Sequence, residues 1–112
     1  MNPGKVQASR IRALNDRFRT SFIGGRVLIT EGVRAFGQAF ESAAVEAVQT
    51  HQDFSADNDP YGEHDFASFR VDGTKLFWKI DYYDAECRYG SEDPADPQQT
   101  TRVLTIMLAS EY

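Results

Sequence analysis

One cysteine, Cys87, stands in 112 residues. That excludes an internal disulfide and any thiolate-rich zinc site, so folding must rest on packing. No apolar run approaches the roughly 18 residues needed to cross a bilayer. The N-terminus is polar and basic with no long apolar stretch behind it, so no signal peptide is expected. A cytoplasmic protein follows as the expectation. There is no internal repeat and no low-complexity tract. Between residues 35 and 69 there is not one Lys or Arg, although seven acidic side chains fall there.

The charge is therefore polarised along the chain. Residues 1–34 carry seven basic and two acidic side chains, and residues 70–112 carry five basic and eight acidic. The net charge of -5 disfavours direct nucleic-acid binding and favours partners with basic surfaces. Arg10, Arg17 and Arg19 could reach phosphates, but Asp16 interrupts them and no reading-helix motif is present. Gly24-Gly25 lacks the spacing and the lysine of a phosphate-cradling loop.

The length, with 41 % hydrophobic residues, predicts a single compact domain over 1–112, with 1–5 a loose tail. Ser9 suits the cap of a first helix to about Arg19, whose apolar spacing is Ile11, Leu14 and Phe18. Arg26 to Thr30 reads as a short strand, and Glu31-Gly32 as a turn. A second helix is expected over Val33 to Thr50, with Val33, Phe36, Phe40, Ala44 and Val48 as its stripe. Asp72-Gly73 predicts a two-residue hairpin between Phe66–Val71 and Thr74–Tyr83. In that register Ala67, Phe69, Val71, Leu76, Trp78 and Ile80 share the buried face, and His64 falls opposite Asp81. Asp96, Pro97 and Gln99 form a capping box that favours a last helix, against the β-branched Thr100, Thr101, Val103, Thr105 and Ile106, which suit a strand. The plan is α+β: a small antiparallel or mixed sheet of about three strands with two or three helices packed on it.

The densest polar stretch is Asp57-Asn58-Asp59-Pro60-Tyr61-Gly62-Glu63-His64-Asp65. As a turn, its Asx side chains would accept backbone N–H groups and His64 would sit in a buried network. As a metal site it would use Asp57, Asp59, Glu63 and His64, with His51 added for zinc. Asp57, Asp59 and Gly62 match the first, third and sixth positions of a calcium loop, but Tyr61 at the fifth and Ser68 at the twelfth do not. As a catalytic site it would pair His64 with Asp81 as base and orienter, with Lys79 on the same strand face. No serine elbow is present, and no cofactor is expected.

Asp57 to Phe66 resembles an uncharacterised bacterial domain family, common in alphaproteobacteria and often carried on plasmids. The resemblance extends through Ala13-Leu14-Asn15-Asp16, Gly24-Gly25-Arg26-Val27, Phe77 to Asp84, Gly90 to Pro97 and Arg102 to Ala109. Cys87 stands where that family would have an aliphatic residue, which implies a packing role for it. The family brings no activity. Its mobile-element setting implies plasmid maintenance, regulation or blocking of host defence. The expected function is a non-enzymatic protein-binding module whose surface is Asp53, Asp57, Asp59, Glu63, Glu92 and Asp93. Such a surface would cover a basic nucleic-acid channel in a host nuclease or CRISPR complex. The alternative is a small metal-dependent hydrolase or nuclease centred on His64 and Asp81.

Overall fold

A computed structural model describes residues 3–112, with side chains from residue 7 onward. Helix α1 covers Pro3–Ser21. It starts earlier than Ser9, because proline with its missing N–H is suited to a first helical turn. Of the expected loose tail, residues 1 and 2 lie outside the described residues, and residues 3–5 are helical. The face turned inward carries Ile11, Asn15, Phe18 and Arg19, all buried. Their spacing is helical, but two of the four are polar.

Strand β1, Gly25–Ile29, follows. The expected second helix is split. Thr30 caps a short α2, Glu31–Arg34, by accepting the Val33 N–H, so Glu31-Gly32 begins a helix rather than a turn. Gly37 then takes φ 101°, a left-handed conformation suited to glycine, and α3 runs over Gln38–Thr50. The stripe survives the break, with Val33, Phe40, Ala44 and Val48 buried. Phe36 lies outside it, half exposed and stacked on Phe40.

The hairpin has the expected register. Strands β2, Phe66–Val71, and β3, Thr74–Tyr83, pair with Ala67 opposite Trp78 and Val71 opposite Thr74. Asp72 and Gly73 both have positive φ, as a two-residue turn between twisted strands requires. Leu76 and Trp78 are fully buried and Ile80 nearly so. The last element is a correction: Thr101–Leu108 is a strand, β4, not a helix. Asp96 does accept the Gln98 N–H and the Gln99 amide, but it closes a turn and no helix follows. β4 lies inside the sheet, paired on both sides, where β-branched residues pack well on both faces. Tertiary pairing outweighs the local cap.

The fold is α+β, with a four-stranded sheet of order β1-β4-β3-β2. β1 is parallel to β4 and the other pairs are antiparallel. Phe18, Val33, Phe40, Ala44 and Val48 from the helices meet Leu76, Trp78, Ile80, Leu104 and Ile106 on one face of the sheet. A short 3-10 turn, Ala109–Glu111, brings Tyr112 back over the other face, against Phe66 and Phe77.

Gly25 sits where α1, β1 and β4 come closest. A Cβ there would lie 2.5 Å from the Arg102 carbonyl oxygen and 2.7 Å from Phe18 Cζ. Gly25→Ala is expected to lower stability by about 1–3 kcal/mol, as overpacking does. Thermal denaturation followed by circular dichroism measures it, and an unchanged melting temperature would contradict this packing.

Candidate functional site

The long polar connection from α3 to β2 covers residues 51–65. It has no cation of its own, and α1 supplies them. Arg12 donates to the Gly62 carbonyl at 3.0 Å. Arg19 donates to the carbonyls of Val48 at 2.8 Å and His51 at 3.0 Å, and to Asp16 at 3.1 Å. Its guanidinium lies over the rings of Phe54 and Trp78, 5.4 and 5.2 Å from their centroids. Arg19 Nε and Trp78 Nε1 are buried without a hydrogen-bond partner among the described residues, so the aromatic faces provide the cation's contact at that side.

Asn15 is the hub of a second, deeper set. Its amide donates to the Glu63 carbonyl at 3.0 Å and to the Tyr82 hydroxyl at 2.8 Å. Its own oxygen accepts Arg102 Nε–H at 2.7 Å. The Tyr82 hydroxyl donates to the Glu63 carboxylate at 2.9 Å, and Arg102 also donates to the Pro94 carbonyl. All the polar groups of the Asn15 side chain are used, which is what complete burial demands. Burial pushes the Tyr82 phenol well above its usual value, with the charges of Asp65 and Glu63 adding to the rise.

His64 does not face Asp81. The ladder of β2 starts at Phe66, and His64 has φ 54°, which turns it out of the strand line. Its Nδ1 bonds Asp16 at 2.9 Å, its Nε2 lies 3.6 Å from Asp59, and its ring stacks on Phe54 at 3.7 Å. Asp81 instead pairs with Lys79 at 2.9 Å. The expected base-and-orienter pair is therefore absent. Both ring nitrogens of His64 face carboxylates, but only Nδ1 is within hydrogen-bond distance of one.

A cleft of about 270 Å³ opens beside this cluster, lined among others by Asp16, Arg19, His51, Phe54 and His64. His51 Nε2 is 3.2 Å from the Asp53 carbonyl. Burial holds the His51 pKa below its usual value. Among the described residues, no group of three or more His, Cys, Asp or Glu is arranged to hold a metal ion. The four residues of the candidate metal set have separate tasks. Asp59 is buried and receives the His64 backbone N–H. Glu63 accepts from Tyr82, His64 bridges Asp16 and Asp59, and Asp57 is exposed. Asn58, in the Asx role expected of it, bonds Ser55 N–H and the Asp53 carbonyl.

Of the six acidic residues proposed as a surface, Asp53, Asp57 and Glu92 are exposed, while Asp59 and Glu63 face inward. Asp93 is half-buried, accepts from Gln7 on α1 and caps the Ala95 N–H. Cys87 is half-buried with φ 59° in a turn, outside the buried core. Residues 29–111 match the family described as Protein of unknown function (DUF3768). The chain belongs to the DUF3768 family. No curated protein and no solved structure matches it. The DUF3768 match takes in the acidic connection and strands β2 to β4, whereas Asn15, Asp16 and Arg19 precede it.

Two outcomes test the cluster. Asn15→Ala leaves Arg102, Tyr82 and the Glu63 carbonyl short of a partner, so a loss of about 1–3 kcal/mol is expected in chemical denaturation. The second concerns Asp65. Burial raises its pKa above the ordinary 3.8, and the charges of Glu63, Asp59 and Asp81 raise it further. The folded state then holds this proton more tightly than the unfolded one, so the stabilisation exists in acid and is lost as pH rises through the folded value. Asp65→Asn should raise the melting temperature at pH 7, and the gain should vanish below about pH 3.8. An equal shift at both pH values would show that the carboxylate charge is not the cause.

Proposed function

We propose that the protein is a non-enzymatic module that binds another protein through its acidic connections and acts in the cytoplasm. The observation that carries this reading is the loop tip. Asp53 and Asp57 are exposed and form no ion pair with a described residue, and Tyr61 stands out between them and Glu63 with 81 % of its surface exposed. A large exposed aromatic with carboxylates around it suits a protein interface, where tyrosine serves as an anchor and charges set the partner's sign. Glu92 and Asp93 extend the acidic character, since both connections gather around α1: one through Gln7 and Asp93, the other through Arg12, Asn15, Asp16 and Arg19.

A basic surface is the complementary partner. The resemblance to a family carried on mobile elements favours a nucleic-acid channel in a host defence nuclease or CRISPR complex, which the acidic loop would occupy in place of DNA. The hydrolase alternative loses its support with the pair His64 and Asp81 apart.

Reversing Asp53, Asp57 and Glu92 to lysine should slow association with the captured partner by about tenfold or more, and raised salt should slow the wild type too. Tyr61→Ala should speed dissociation. Surface plasmon resonance at several salt concentrations reads both. Binding that ignores these changes, and is lost instead with Arg10→Glu and Arg17→Glu, would move the contact to α1 and overturn the acidic-surface reading.

A further inference from the structure

The helices leave one face of the sheet uncovered; Val103 and Met107 on it are buried and Tyr112 lies over part of it, but its charge is opposite to that of the whole molecule. Residues paired across strands share a face, so the register defines its composition. One row is Leu28, Thr105, Lys79 and Phe66; beside it on one side lie Arg26, Val103 and Asp81, and on the other Met107, Phe77 and Ser68. Lys75 and Arg70 follow at the hairpin end. The sheet face thus carries four cations, Arg26, Arg70, Lys75 and Lys79, against one carboxylate, Asp81, which pairs with Lys79 and leaves three cations in excess. Arg26, Arg70 and Lys75 are exposed.

Aromatic rings lie between these cations. Phe66 and Phe77 are 5.1 Å apart and half-buried, and Tyr112, with 73 % of its surface exposed, leans on both at 5.6 and 5.2 Å. Along β3 the outward residues alternate Lys75, Phe77, Lys79, and the Lys75 ammonium sits 5.4 Å from the Phe77 ring centre. Cation, ring, cation at every second residue sets neighbours about 6.8 Å apart.

We propose that this face binds single-stranded nucleic acid, with phosphates on Arg26, Arg70 and Lys75 and unpaired bases on the Phe66, Phe77 and Tyr112 rings. A second copy of the chain fits poorly, because each would bring the same excess of positive charge. An acidic protein could use the cations and the rings, but cation and ring alternate along β3 as phosphate and base alternate along a nucleic-acid strand. Bases stack on any aromatic face, so binding tolerates sequence, and a sheet that presents rings among cations is suited to strands whose bases are not already paired. The acidity that disfavours nucleic acid resides in the loops, not here. This surface shares no residue with the acidic one proposed above, so either can fail alone.

Fluorescence anisotropy with a labelled oligothymidine tests the proposal. Saturable binding that weakens with salt is expected. An abasic strand and a duplex of the same length should each bind about tenfold more weakly, since stacking is lost. Arg26→Glu with Lys75→Glu should weaken binding by about tenfold or more while leaving the melting temperature unchanged, because both side chains are exposed. Tyr112→Ala should weaken it too. Asp53→Lys with Asp57→Lys should not. No saturable binding, an abasic strand or duplex as tight as oligothymidine, or indifference to the charge reversals would overturn the proposal. Displacement by polyglutamate at matched charge would do the same, and would point to an acidic protein partner instead.

Discussion

Fifteen residues of chain between α3 and β2 have no regular structure, and their backbone groups must be satisfied from elsewhere. The donors come from one face of α1. Arg12, Asn15 and Arg19 reach carbonyls of this connection or its flanks, and Asp16 receives His64. The contact also reaches the sheet, because Asn15 joins Tyr82 of β3 to Arg102 of β4. Loosening it would free the acidic connection, uncover the edge of Trp78 and leave a buried arginine without its acceptor. The cleft, the placement of Asp53 and Asp57, and the orientation of α1 all follow from it.

Much of this architecture was legible in the chain. The Asp72-Gly73 turn fixed the hairpin register, and alternation identified the buried face through Trp78. The α+β class, the stripe from Val33 to Val48 and the Asx role of Asn58 were also readable. Other features were decided by contacts distant in sequence. β4 looked helical because its cap is local, whereas the β1 and β3 partners that make it a strand lie elsewhere. His64 was extrapolated along a strand that ends at Phe66, and nothing nearby announced its positive φ. The role of α1 did have a signal. Asn15 and Arg19 lie on the same helical stripe as Ile11 and Phe18, and a polar residue on an apolar stripe must have a buried partner.

The net charge of -5 conceals a division of labour among surfaces. α1 directs Arg12 and Arg19 inward against the acidic connection, leaving Arg10 and Arg17 exposed. Carboxylates crowd on the loop side, where Asp65 takes a raised pKa from burial and from its acidic neighbours. The uncovered sheet face collects Arg26, Arg70, Lys75 and Lys79. A protein of this size can therefore present two fields of opposite sign, and its formal charge describes neither.

The sheet order also governs assembly of the fold. β1 and the β2–β3 hairpin never touch within the sheet; β4 lies between them and follows both in the chain. The hairpin is local and forms on a microsecond scale. Joining Gly25 to Arg102 closes a long loop, and that entropy cost precedes any reward from packing. Until β4 arrives, β1 has no strand neighbour and one edge of β3 is bare, a template for the wrong partner. The chain thus remains vulnerable to misassociation up to its final strand, and sheet assembly is tied to the synthesis of that strand.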